Sequence, residues 1–81
     1  MATTNMLPQF STAQEFAVWL VKECRDGWVN GSYRVAGKLV TVKAYGKWVQ
    51  RIYVDAGPWD SCEFRTNRDM VQYVATYIDS K

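Results

Sequence analysis

Apolar residues recur at helical spacing near the start of the chain. At about 100° per residue they form one arc, made up of Ala13, Phe16, Ala17, Leu20, Val21 and Cys24. Ser11 and Thr12 precede this arc, and a Gln or Glu follows each of them three residues later, which is the spacing of a capping box. Gly27 comes after the arc and is typical of a helix end. The pattern predicts an amphipathic helix that begins at residues 11–12 and ends before Gly27.

The period then changes to one typical of strands. Three segments rich in Val, Tyr, Thr, Ile and Trp follow one another, at residues 32–36, 39–45 and 47–54. Gly37-Lys38 and Gly46 separate them and suit tight hairpin turns. The sequence therefore predicts a meander of three antiparallel strands.

Turn residues on both sides of the meander predict how it is extended. Asn30-Gly31 predicts a further turn that returns Trp28-Val29 beside the first strand. Residues 55–58, Asp-Ala-Gly-Pro, have the composition of a loop. Residues 59–64 then predict a short fourth strand at the sheet edge.

A second helix is predicted near the end of the sequence. Thr66 or Asn67 is placed to cap it, and Asp69 favours its positive end. Its apolar side contains Met70, Val71, Tyr73, Val74, Tyr77 and Ile78. The order α-β-β-β-(β)-α predicts an α+β fold of two layers, with two helices on one face of a three- to four-stranded antiparallel sheet. Residues 1–10 are expected to form a flexible lead to a single domain at residues 11–81.

The missing residue types argue against catalysis. The 81 residues include no histidine, which removes His-based acid–base and nucleophilic schemes and imidazole metal sites. The sequence contains neither of two glycine-rich phosphate-binding motifs, Gly-x-x-x-x-Gly-Lys-Ser/Thr and Gly-x-Gly-x-x-Gly. Asp55, Asp60 and Glu63 are the carboxylates that an acid–base pair or a weak cation site would use, although Asp55 and Asp60 also suit the flanks of a turn. We expect a non-enzymatic protein with no cofactor and no metal.

The two cysteines and the apolar runs bear on location. Cys24 belongs to the apolar arc and predicts a small buried thiol, which Cys62 would face across the core. The opening residues lack the pattern of a secretory signal, and no run is long enough to span a membrane. We therefore expect a cytoplasmic protein with reduced thiols and no membrane partner. Monomeric and homodimeric states both stay open, because outward Leu39 and Val49 would form an apolar patch.

Charge is distributed unevenly along the chain. Net charge is +2, yet residues 27–54 carry five basic residues and no acidic one, so the remainder carries −3. Strand alternation places Tyr33, Val35, Val40, Val42, Ala44, Ile52 and Val54 under the helices. The opposite face is predicted to contact a partner through Arg34, Lys43, Tyr45, Lys47, Arg51 and Tyr53. Val49 falls outward and Gln50 inward in this alternation, a conflict that a β-bulge would correct.

Several interpretations of this basic face stay open. Lysine and arginine neutralise phosphates while aromatic rings stack on unpaired bases, so the face suits nucleic acid. It also suits an acidic protein surface, since Tyr, Trp and Arg anchor interfaces. An open sheet face is polar in any case, and lysines protect sheet edges. Trp59, beside Pro58, is either an exposed anchor or a plug at one end of the core, and we favour the plug.

The order of elements resembles that of the double-stranded-RNA-binding domain over most of the chain. That family's basic cluster would correspond to residues 65–69, where Arg65 and Arg68 stand with Asp69. Its first hairpin loop would correspond to residues 36–38, which lack the family's Pro and His. The resemblance therefore covers topology and not the RNA-contacting positions.

In size, in its lack of catalytic groups and in its patch of Arg, Lys and aromatic residues, the chain also resembles the small phage-encoded anti-CRISPR proteins. The resemblance implies an inhibitor that occludes a host protein or nucleoprotein complex, with contacts from Arg34, Lys43, Arg51 and Tyr53. The alternative is a nucleic-acid-binding domain that uses the same face. A small enzyme that uses Asp55, Asp60 or Glu63 is the third hypothesis.

Overall fold

A mixed five-stranded sheet and two helices make up the part of the chain that the structure describes, residues 9–81 of a computed structural model. The elements are β1 (Gln9–Phe10), α1 (Ala13–Glu23), β2 (Val29–Val35), β3 (Lys38–Tyr45), β4 (Trp48–Val54), β5 (Asp60–Glu63) and α2 (Asn67–Asp79). The strands lie in the order β1-β2-β3-β4-β5. The predicted α+β class, the meander and the edge strand β5 are confirmed.

The predicted strand count and antiparallel character match only in part, because β1 adds a fifth strand that is parallel to its neighbour β2. Gln9 and Phe10 pair with Arg34 and Val35 in parallel register. The Ala36 amide extends the pairing by donating to the Phe10 carbonyl at 2.9 Å. Residues 1–8 of the predicted flexible lead lie outside the described residues.

The predicted Thr12 cap of α1 is confirmed, although the Glu15 carboxylate accepts from the Ser11 amide and not from the Thr12 amide that a standard capping box uses. The Thr12 hydroxyl accepts a hydrogen bond from the Glu15 amide at 3.1 Å, and the Glu15 carboxylate accepts one from the Ser11 amide at 2.8 Å. The helix ends at Glu23, earlier than expected from Gly27. It stops there because the Cys24 carbonyl accepts a hydrogen bond from the Gly46 amide at 2.7 Å, which ties the chain to the β3–β4 turn.

The second helix follows the predicted pattern. Thr66 is the cap, and its hydroxyl accepts a hydrogen bond from the Asp69 amide at 3.1 Å. Four residues of α2 are buried: Met70, Val74, Ala75 and Ile78. Val71, Tyr73 and Tyr77 pack against the core while partly exposed, so α2 meets the sheet with the face that its sequence predicts.

Both hairpins close with two-residue turns. Ala36 and Gly37 have positive φ angles of 50° and 81°, the pattern of a type I′ turn. This turn lies one residue earlier than predicted because Lys38 pairs with Val35 inside the ladder. The second turn contains Gly46, whose φ is 61°, as predicted.

The predicted turn at Asn30-Gly31 is wrong, since β2 runs through both residues. Asn30 pairs with Lys43, and Gly31 pairs with Val42. A Cβ atom on Gly31 would lie 3.1 Å from the Tyr33 hydroxyl oxygen. The absence of a side chain at position 31 therefore leaves room for the Tyr33 ring along the strand. This close contact, and not a turn, is the reason for glycine at this position.

One hydrophobic core lies between the helices and the inner face of the sheet. Its buried strand residues are Val29, Val35, Val40, Val42, Ala44, Val49, Ile52 and Val54. Phe10, Trp19 and Tyr33 pack against Phe16 at one end, with ring centroids 5.1–6.5 Å apart. The opposite face has no helix over it within the described chain, so its residues meet solvent.

A β-bulge in β4 resolves the conflict in the sequence pattern. Lys43 pairs with Arg51 and Ala44 pairs with Val49, which leaves Gln50 as the extra residue on β4. The prediction that Val49 faces outward is therefore wrong, because this side chain is fully buried. The expected correction by a bulge is confirmed.

Candidate binding surface

The outer face of the sheet, the face away from the helices, is built in rows that cross the strands. Successive outward residues on one strand lie about 7 Å apart, so a step of two residues along β3 leads to the next row. The Lys43 row comprises Asn30, Lys43 and Arg51, and the neighbouring row on one side comprises Ser32, Thr41 and Tyr53. Tyr45 and Trp48 are paired in the row on the other side.

Two cations face each other in the Lys43 row. Lys43 and Arg51 are direct partners across β3 and β4, and both side chains are exposed. Directly opposite residues have Cβ atoms about 5 Å apart, a distance at which like charges destabilise a sheet. We call these two residues the cationic pair. Its positive potential is concentrated where an anionic group could approach from solvent.

Three aromatic rings lie beside the cationic pair. The Trp28 ring centroid lies 5.3 Å from that of Tyr45 and 5.7 Å from that of Trp48. Trp28 is 50% exposed and Tyr45 is 47% exposed. We call these three residues the aromatic row. Such large rings held together in solvent are typical of surfaces that bind a macromolecule.

Each cation of the pair also lies over an indole ring. Lys43 Nζ is 5.3 Å from the Trp28 ring centroid, and Arg51 Cζ is 5.2 Å from that of Trp59. Cation–π attraction of this kind contributes about 0.5–1 kcal/mol at exposed sites. The rings therefore hold both cations in place without neutralising their charge.

A shallow hollow lies between the two central strands and β2. Its volume is about 90 Å³, and its lining includes Asn30, Thr41, Lys43, Arg51 and Tyr53. Pockets for whole small molecules usually measure about 300–1,000 Å³. The hollow therefore suits a single polar group of a larger partner.

The predicted site residues lie at different levels of this face. Lys43, Arg51, Tyr45 and Tyr53 are together in three adjacent rows. Lys47 is exposed in the β3–β4 turn, beyond the aromatic row. Arg34 pairs with Leu39, two rows from Lys43, and lines a separate groove with Gln9 and Phe10.

Sequence reasoning missed two rings of the aromatic row. The turn predicted at residues 30–31 separates Trp28 from the outer face, and the conflicting alternation along residues 47–54 leaves Trp48 without a predicted face. The register of the hairpin indicates the face on which Trp48 lies, since a two-residue turn at 46–47 makes Tyr45 and Trp48 direct partners on one face.

The prediction that Trp59 plugs the core is wrong, because its side chain is 59% exposed. Two tyrosines of α2 fix the segment that presents it. The Tyr77 hydroxyl donates to the Pro58 carbonyl at 3.0 Å and also lies 3.2 Å from the Ile52 carbonyl. The Tyr73 hydroxyl donates to Asp60 Oδ2 at 2.5 Å. The chain on both sides of Trp59 is therefore anchored while the indole stays in solvent.

The three candidate carboxylates have separate surroundings. Asp55 accepts a hydrogen bond from the Leu39 amide at 3.2 Å, and its φ of 55° marks a turn. The Tyr73 hydroxyl and then the Ser61 amide hold the pKa of Asp60 below its usual range. Glu63 pairs with Trp48 at the β5 end of the outer face. Across residues 9–81, no group of three His, Cys, Asp or Glu side chains could hold a metal ion.

The two thiols differ in their surroundings. Cys24 is fully buried, as predicted, and its Sγ lies 3.2 Å from the Gly46 carbonyl. Burial raises the pKa of this thiol. Cys62 is half-buried on β5, opposite Val49, and both cysteines are free.

None of the helices described is long and apolar enough to cross a membrane.

Comparison with known proteins gives no relative from which a role could be transferred. No family model matches the chain, and neither a curated protein nor a solved structure matches it. The function must therefore be argued from the outer face itself.

Proposed function

We propose that this protein is a non-enzymatic inhibitor of the anti-CRISPR type, encoded by a phage, that occludes a host nucleoprotein complex with its outer sheet face. The observation that carries the proposal is the pairing of Lys43 with Arg51, each over an exposed indole. Like charges placed opposite each other weaken a sheet, so their presence is best explained by a partner that neutralises them.

The shape of the face supports a macromolecular partner. Its rings are exposed over several rows, and its hollow of about 90 Å³ is too small for a whole metabolite. Aromatic and arginine side chains contribute most of the binding energy in many interfaces. An inhibitor that works by covering a surface needs only such a face and no catalytic group.

The free thiols of Cys24 and Cys62 agree with a cytoplasmic location, which is part of the proposal. A host effector complex acts in that compartment. Direct nucleic-acid binding through the same face is the second candidate function, and the exposed aromatic row beside the cations favours it.

Inhibition assays with purified CRISPR effector ribonucleoproteins test the proposal. The native protein should block target-DNA cleavage by at least one effector, and the variant that carries both Lys43→Glu and Arg51→Glu should lose that effect. The matched control carries Lys22→Glu and Arg25→Glu, which make the same charge change at exposed positions on and beside α1. Failure to inhibit any effector, or equal potency of the face variant and the control, would contradict the proposal.

A further inference from the structure

The spacing of rings and cations on the outer face identifies a class of ligand. We infer that this face binds an unpaired nucleic-acid strand, with bases stacked on the aromatic row and phosphates held by the cationic pair. The inference rests on the proposed function in one respect, because it takes the outer face as the binding surface. It adds that the nucleic acid of the target complex is contacted directly.

The aromatic row and the cationic pair lie close together on the outer face. Tyr45 follows Lys43 by two residues on β3, so the aromatic row and the cationic pair lie about 7 Å apart. Lys43 Nζ also lies 5.3 Å from the Trp28 ring centroid. A base and the phosphate beside it therefore find a ring and a cation within the reach of one nucleotide.

Two rings of the aromatic row are accessible to a partner. About half of the Trp28 and Tyr45 surfaces meets solvent. Base–ring stacking accepts every base, because each one has a π face. In a duplex those faces are stacked inside the helix, so only the phosphates would remain for this surface. The aromatic row therefore favours an unpaired strand over a duplex.

Polar side chains line the outer face beside the cationic pair. Asn30 and Thr41 border the hollow beside the cationic pair, and the Ser32 and Thr41 hydroxyls lie 2.9 Å apart. Amide and hydroxyl groups both donate and accept hydrogen bonds, as base edges and sugar oxygens require. A nucleic-acid strand offers phosphates, hydrogen-bonding edges and flat base faces together in every nucleotide, which matches the three kinds of group on this face.

The charges at the borders limit the path of the strand. Lys47 lies in the turn beyond the aromatic row, and Arg34 lies at the far end of the face. Glu63 stands opposite Trp48 at the β5 end, where it would repel phosphate. The favoured path therefore follows β3 and β4 from Lys47 toward Arg34 and stays away from β5.

Fluorescence anisotropy with a labelled oligothymidine of about 12 nucleotides tests the inference, with a duplex of equal length as the comparison. The single strand should bind more tightly than the duplex, and its affinity should fall as salt rises from about 50 to 200 mM. Lys43→Gln should lower the slope of log affinity against log salt by about 0.7, the value for one phosphate contact on a single strand. Lys22→Gln on α1 should leave the slope unchanged.

Substitutions at Trp28 separate stacking from simple apolar contact. Trp28→Leu keeps an apolar side chain without a ring and should weaken single-strand binding roughly 5- to 150-fold, whereas Trp28→Phe should weaken it less. Circular dichroism would check that both variants keep the fold. Equal affinities of the two variants would overturn the stacking contact.

The outcomes distinguish this inference from the proposed function. If no oligonucleotide binds at low salt, or if the duplex binds as tightly as the single strand, the inference is overturned. Inhibition that is lost only in the Lys43→Glu, Arg51→Glu variant would then leave the proposed function intact, with an acidic protein as the partner. Ring-dependent binding of oligothymidine without inhibition of any effector would support the inference and contradict the inhibitor role.

Discussion

The Tyr73 hydroxyl donates a hydrogen bond of 2.5 Å to Asp60 Oδ2, which joins the middle of α2 to the first residue of β5. This contact and the Tyr77 contact to Pro58 are the polar anchors of the segment that carries Trp59. Both anchoring tyrosines belong to α2, on the helical side of the sheet. Substitutions of Tyr73 or Tyr77 are therefore expected to change the position of the Trp59 ring on the opposite side.

The Tyr73–Asp60 contact makes folding stability depend on pH. Burial and then the Asp60 carboxylate raise the pKa of Tyr73, so folding favours the protonated phenol and stability should fall as pH rises above about 10. The pKa of Asp60 is lowered, so its contribution is present above about pH 4 and is lost as pH falls below that value. Tyr73→Phe should flatten both limbs of the free energy of unfolding against pH, measured by urea titration. Tyr45→Phe, on the exposed outer face, is the matched control and should leave the acid limb unchanged, because the Tyr73–Asp60 hydrogen bond stays in place.

Lys43→Glu is expected to separate stability from binding. It places a carboxylate opposite Arg51 but also removes the Lys43 contact to the Trp28 ring, so Lys43→Gln, which loses the same contact, is the reference variant. The free energy of unfolding of Lys43→Glu should exceed that of Lys43→Gln by a few tenths of a kcal/mol, while partner binding is lost. Chemical denaturation and the inhibition assay measure the two effects. A Lys43→Glu variant no more stable than Lys43→Gln would show that the two cations of the pair do not repel each other across the strands.

The type I′ turn contains a residue that suits it poorly. Ala36 has a φ of 50°, a left-handed conformation that costs residues with a Cβ atom about 1 kcal/mol. Asparagine tolerates this conformation better, so Ala36→Asn should raise the free energy of unfolding by up to about 1 kcal/mol. Ala56→Asn serves as the control, because Ala56 is exposed and its φ is not positive. Equal changes at both sites would contradict the explanation.

The two thiols should react at very different rates. Cys62 is half-buried and should react with a thiol reagent in the native protein, whereas Cys24 is fully buried and its pKa is raised. Labelling of Cys24 should require opening of the fold and be at least about 1,000-fold slower. The Cys62→Ser variant isolates this slow phase, and fast labelling of that variant would contradict the buried position of Cys24.

Two neighbouring positions on α1 test the core. Phe16 is fully buried, so Phe16→Ala should cost about 3–5 kcal/mol, a large share of the roughly 4–12 kcal/mol expected for a domain of this size. Val18 is 51% exposed, and Val18→Ala should change stability by less than about 0.5 kcal/mol. Thermal unfolding of both variants gives the comparison.

Local rules were sufficient where the determining contacts are local. Thr12 and Thr66 mark the helix starts because a side chain and an amide three residues later satisfy each other. The glycines at 37 and 46 mark the hairpins for a similar reason, since they accept positive φ angles. These features are sufficient to predict both helices and the meander from the sequence.

Contacts between distant residues decided the rest. Gln9 and Phe10 form a strand only because the edge of β2 is available 25 residues later in the chain. Trp59 is outward because Tyr77 holds Pro58 from α2, a contact that no local pattern contains. Trp48 was missed because Gln50 reverses the alternation along β4, and alternation alone cannot say on which side of a bulge the phase is right.

The extra residue in β4 makes the length of that strand a constraint in its own right. With Gln50 as the extra residue, the first part of the strand keeps the register of the hairpin and the second part keeps that of the core. Trp48 therefore lies on the outer face, half-buried, while Val49 and Ile52 are both fully buried. Deletion of Gln50 would turn the buried side chains on one side of the deletion toward solvent and the outward ones toward the core. Many side chains should therefore be tolerated at position 50, but deletion of the residue should not be. A scan of insertions and deletions along the hairpin should find the largest loss of stability at this position.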